Sequence, residues 1–71
     1  MNKIFVVMTV ARQLMGEIIF IRSEKGFKDR QKAEDFAKTL SGVTQENIAV
    51  PNVGNVLCAT ERGIYAIEIE D

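Results

Sequence analysis

Residues 3–23 read KIFVVMTVARQLMGEIIFIRS, and the way this stretch divides decides the fold. KIFVVMTV is rich in β-branched and aromatic residues and holds no helix breaker, the composition of a strand. GEIIFIRS repeats that composition, and the short gap between the two makes them a hairpin. Its loop, ARQLMGE (residues 11–17), carries Leu14 and Met15 where polar turn residues are the rule. Both strands are apolar on both sides. Ile4, Val6, Met8 and Val10 alternate with Phe5, Val7, Thr9 and Ala11, and Ile18 and Phe20 alternate with Ile19 and Ile21.

Beyond the hairpin, DRQKAEDFAKTLSG (residues 29–42) places Ala33, Phe36, Ala37 and Leu40 at i, i+3, i+4 and i+7, one face of a helix. Asp29 is its N-cap, and Gly42 is placed to end it in a left-handed conformation. Arg30 with Glu34, and Glu34 with Lys38, are i,i+4 pairs on its wet side. NIAV before Pro51 reads as a short edge strand, because proline cannot donate to a ladder, and PNVGN is turn chemistry. VLCAT and IYAIEIE form a second hairpin about ERG, with Gly63 at positive φ. In IYAIEIE, Tyr65, Ile67 and Ile69 face one way and Ala66, Glu68 and Glu70 the other, the pattern of a strand with one buried and one solvated side. The order is ββαββ. This predicts an α+β fold, a four-stranded, mostly antiparallel sheet with one helix packed on one face, and residues 1–71 form a single domain.

One helix covers one face of such a sheet. Burying a large apolar side chain contributes roughly 1.5–3 kcal/mol. Four of them left wet therefore forfeit about the whole stability of a small domain, of order 5–10 kcal/mol. Two covers are open: segment 43–55 folded back across the sheet through Val43, Ile48, Val50 and Val53, or a second copy of the chain. Leu14 and Met15 either tuck beneath the helix end or extend the apolar patch, a role the adaptable methionine suits. The patch expected at an interface is Phe5, Val7, Leu14, Met15, Ile19 and Ile21. With 71 residues, one cysteine and no histidine, the chain has neither an internal disulfide nor the usual zinc ligands, which leaves self-association among the common supports of a short fold.

Net charge is −1, so bulk attraction to nucleic acid or membrane is not expected. The apolar start is too short to span a bilayer and lacks a small-residue cleavage site, so the expected location is the cytoplasm, in keeping with the unpaired Cys58 thiol. The charge is uneven. Arg22, Lys25, Lys28, Arg30 and Lys32 against Glu24 and Asp29 give residues 22–32 a charge of +3, while Glu61, Glu68, Glu70 and Asp71 against Arg62 give residues 60–71 a charge of −3. Arg22, Lys25 and Lys28 are thus complementary to Glu68, Glu70 and Asp71 and suited to orienting a dimer.

No residue argues for catalysis. Histidine is absent, Cys58 lies mid-strand without a basic sequence neighbour, and the glycines give no phosphate loop. No cofactor and no metal are expected, and Glu68 and Glu70 are read as solvated charges rather than a cation cage. The expectation is a small non-catalytic protein-interaction module, a homodimer, of the size of regulators or phage-type inhibitors of larger assemblies. The rival is a nucleic-acid or nucleoprotein-binding module using Arg12, Arg22, Lys25, Lys28, Arg30 and Lys32, with Phe27 available to stack on a base. A third reading is a small-molecule pocket between two chains, lined by Tyr65, Arg22 and Glu68.

Overall fold

The computed structural model describes residues 2–14 and 16–70. Strand β1 spans Asn2–Gln13, β2 Ile18–Phe27, β3 Gln45–Val50 and β4 Gly54–Ile69, and helix α1, Arg30–Leu40, lies between the two strand pairs in sequence. The sheet order is β2-β1-β4-β3 with every neighbouring pair antiparallel. This is the α+β ββαββ arrangement read from the sequence, with the two longest strands side by side at its centre.

The second hairpin is placed differently from expectation. Instead of turning at residues 61–63, β4 runs unbroken for 16 residues. The reason is the length of β1, which supplies an antiparallel partner for the whole of β4 from Cys58, opposite Gln13, to Ile69, opposite Asn2. A turn at Gly63 would forfeit that ladder. The chain instead reverses after β3, where the Val53 N–H donates to the Val50 carbonyl at 3.1 Å, with Asn52 at φ 68° and Gly54 at φ 105°. Gly63 serves a close approach. A Cβ built there would lie 3.0 Å from Cε2 and Oη of Tyr65, whose ring rests over it.

Opposite residues of an antiparallel pair project to the same side of a sheet. Phe27 is opposite Phe5 and its ring meets Phe36 of α1 with centroids 5.5 Å apart, so Phe5, Val7, Thr9 and Ala11 form the helix side. Val7, Ala11 and the helical Ala33 are fully buried there. Two β-bulges interrupt β2: Val7 pairs with Lys25 but Met8 with Ser23, and Ala11 with Phe20 but Arg12 with Ile18. The extra residues, Glu24 and Ile19, break the alternation expected of GEIIFIRS. Phe20 consequently faces the helix side, whereas Ile18 and Ile21 share the opposite one.

The sheet also curls. Arg22 on β2 and Glu46 on β3 belong to its two opposite edges, which in a flat sheet lie roughly 14 Å apart. Here their side chains meet at 3.3 Å across the helix side. Segment 43–55 does not fold over the sheet as a lid. Most of it becomes the edge strand β3, and Val43 and Val53 are exposed.

The helix begins as its sequence predicts, with the Asp29 carboxylate accepting the Gln31 N–H at 2.8 Å. Asp29→Ala is expected to lower stability by about 1 kcal/mol, read as a shift in denaturation midpoint at constant m. The C-terminus differs from expectation, since Gly42 takes no positive φ. Ser41 stays right-handed at φ −64° and donates both its N–H, at 3.2 Å, and its hydroxyl, at 2.7 Å, to the Lys38 carbonyl. With that carbonyl satisfied, no left-handed residue is needed.

Candidate interaction surface

The helix-free face is built from alternate residues of the two central strands. Ile4, Val6, Met8 and Val10 of β1 lie beside Ile67, Tyr65, Gly63 and Glu61 of β4. Tyr65, Ile67, Ile69 and Ile21 expose 47%, 44%, 44% and 57% of their surface, and Ile18 and Leu57 are similarly open. The alternation expected of IYAIEIE is present, but its apolar side is not buried within the chain, because the helix lies across the other face. Among the described residues the ion pair on this face is Arg12 with Glu61, held by Nε and Nη2 at 3.2 and 3.1 Å from a single carboxylate oxygen.

The residues expected at an interface divide between the two faces. Leu14, at the hairpin tip, is 57% exposed and does not tuck beneath the helix. Ile21 lies on the open face, and Ile19 is half-buried at its bulge. Met15 lies outside the described residues. Phe5 and Val7 belong to the helix side, Val7 with no exposed surface and Phe5 half-buried. Their alternates Ile4, Val6, Met8 and Val10 lie on the helix-free side, Val6 and Val10 already buried within the chain and Ile4 and Met8 half-buried. Apolar content alone did not separate the two sets. The smaller residues Thr9 and Ala11, both buried on the helix side, were the available signal.

The cations expected at an anion site are dispersed. Arg12 is paired with Glu61 on the helix-free face, Arg22 with Glu24 at 2.8 Å and Glu46 at 3.3 Å on the helix side, and Arg30 with Glu34 at 3.3 Å along the helix. The Lys25 ammonium sits over the rings of Phe27 and Phe36, 5.3 and 5.8 Å from their centroids. Among the described residues no ion pair forms at Lys28 or Lys32. Tyr65 lies on the face opposite Arg22 and Glu68, so the sheet separates the three residues of the expected shared pocket.

The helix side carries a polar clamp that no sequence pattern announced. The Arg62 side chain is only 6% exposed. Its Nε donates to the Thr9 hydroxyl oxygen at 3.1 Å, its Nη1 to the Thr60 oxygen at 3.2 Å and to the Val43 carbonyl, and its Nη2 stands 4.0 Å from Glu46. Thr9 in turn donates to Glu24 at 2.6 Å, and Arg22 bridges Glu24 and Glu46. Among the described residues every buried side-chain nitrogen and oxygen has a partner, and no group of three His, Cys, Asp or Glu side chains could hold a metal. The clamp therefore ties β1, β2, β3 and β4 together.

The Thr9 hydrogen bond, then the Arg22 guanidinium, hold the Glu24 carboxyl below the usual glutamate range against the opposing effect of burial, while Glu24 raises Arg22. A carboxyl whose pKa is lower folded than unfolded binds fewer protons in the native state. Its contribution is complete above the unfolded value, about 4.3, and is lost as pH falls through the depressed folded value. The melting temperature of the wild type is thus expected to fall more steeply below about pH 5 than that of Glu24→Gln. Parallel curves would show that Glu24 takes no part in acid unfolding.

Among the described residues no helix is long and apolar enough to cross a membrane. No family model, no curated protein and no solved structure matches this chain.

Proposed function

We propose that the chain is a non-catalytic interaction module that works as a homodimer through the helix-free face of its sheet. The observation that carries this is area. A folded monomer of 7.9 kDa has an accessible surface of about 4400 Å² by the usual size scaling. This chain exposes 5239 Å². The excess, roughly 800 Å², is what one partner contributes to an interface of standard size. The shape agrees: the radius of gyration is 13.9 Å, against about 11 Å for a compact chain of this length. Ile18, Ile21, Leu57, Tyr65, Ile67 and Ile69 stand exposed on the helix-free face, which favours a like face over a charged partner. The nucleic-acid reading has less support, because Arg12, Arg22 and Arg30 already have carboxylate partners.

Sedimentation equilibrium at micromolar concentration tests the proposal. The expected mass is twice 7.9 kDa, little changed by salt. A particle of single-chain mass that melts cooperatively and binds no hydrophobic dye would overturn it. Oligonucleotide binding that weakens steeply with salt would move the function to the rival class.

A further inference from the structure

On the basis of the self-association reading, we propose that the two copies pack face to face about a two-fold axis parallel to β1, with Tyr65 of each copy seated in a trough formed by Gly26 and Ser23 of the other. Strand β1 runs along the middle of the face, with β4 on one side and β2 on the other. In the row of Val6 the flanking residues are Tyr65 on β4 and Gly26 on β2, and in the row of Met8 they are Gly63 and Ser23.

The Tyr65 ring leans out of its own row over Gly63, within 3.0 Å of where a Cβ would be, so it fills both rows on the β4 side. On the β2 side the same two rows hold only Gly26 and Ser23, both exposed. A Cβ added at Gly26 would meet nothing nearer than Ile4 Cδ1 at 3.9 Å and Val6 Cγ2 at 4.0 Å. The face is thus raised on one flank and hollow on the other at the same height along the strands. Rotation about an axis parallel to β1 keeps each row and exchanges the flanks. Each ring then lands on the partner's two empty rows, and both contacts form at once, the self-complementarity that an isologous dimer requires. Tyrosine in a central, desolvated position is also the residue type that carries binding energy at interfaces.

The experiment uses the full chain. Gly26→Leu fills the trough, and the protomer accepts it because Gly26 needs no positive φ and an added Cβ makes only ordinary van der Waals contact with Ile4 and Val6. Sedimentation equilibrium is expected to show a dimeric wild type, and a Gly26→Leu variant whose dissociation constant is at least tenfold weaker, with far-UV circular dichroism unchanged. A dimeric wild type with Gly26→Leu dimerising equally well would overturn the trough and leave self-association standing. A monomeric wild type would overturn both. The axis is checked independently with Ile4→Cys in a Cys58→Ala background. An axis parallel to β1 brings the two copies of residue 4 together, so a short bis-maleimide is expected to give a covalent dimer. An axis across the strands would place residue 4 near the partner's residue 12, and no such dimer would form.

Discussion

Arg62→Leu is expected to lower the free energy of unfolding by about 2–3 kcal/mol, measured by urea denaturation at a fixed protomer concentration. The side chain is 6% exposed and reaches Thr9, Thr60, the Val43 carbonyl and Glu46 from one position. Its removal leaves no stranded countercharge, because Glu46 keeps Arg22 at 3.3 Å. That places the cost below that of breaking an isolated buried pair. Both threonine hydroxyls also keep a second partner, Glu24 for Thr9 and the Val43 carbonyl for Thr60. What is lost is the cross-link from β4 to the segment leaving the helix, together with hydrogen bonds made by a charged donor. Arg62→Lys should recover little of it, since an ammonium cannot repeat the planar fork. An unchanged midpoint in Arg62→Leu would show that the clamp adds nothing to the fold.

Ile67→Asp has the other large expected effect, on association rather than folding. Ile67 is 44% exposed on the helix-free face, so a carboxylate there stays hydrated in the separate protomer. In the proposed dimer the same carboxylate is desolvated among Ile4, Tyr65 and their partners. A penalty of roughly 3 kcal/mol corresponds to about a hundredfold weaker dissociation constant. Sedimentation should report single-chain mass with strand and helix signals retained. Val7→Asp is the informative contrast. Val7 has no exposed surface within its own chain, so that variant is expected to unfold rather than dissociate. If Ile67→Asp leaves a wild-type dimer intact, the helix-free face is not where it forms.

The first hairpin and the helix were legible because each rests on local rules. Strand composition on either side of a short loop suffices for one, and an i, i+3, i+4, i+7 stripe behind an aspartate cap for the other. The second hairpin was misplaced because ERG resembles a turn when read locally, while the partner that keeps β4 straight, β1, lies some fifty residues away. Strand faces in β2 were misassigned for a related reason. Bulges at Glu24 and Ile19 shift the register, and a period of two carries no sign of an inserted residue. Of the residues expected at an interface, Ile21 and Leu14 stand exposed. Phe5 and Val7 fall on the helix side instead, and their own composition does not separate them from the equally apolar Ile4 and Val6.

The sequence by itself determined the element types, their order and the presence of more apolar surface than one helix covers, since each of these follows from residue composition and spacing along the chain. Only the tertiary structure decided which sheet face receives the helix, that Arg22 and Glu46 meet across the curl, and that Tyr65 and Gly26 flank Val6 at the same height. Those are relations between residues far apart in sequence. They are fixed by strand register and sheet curvature, and a local pattern encodes neither.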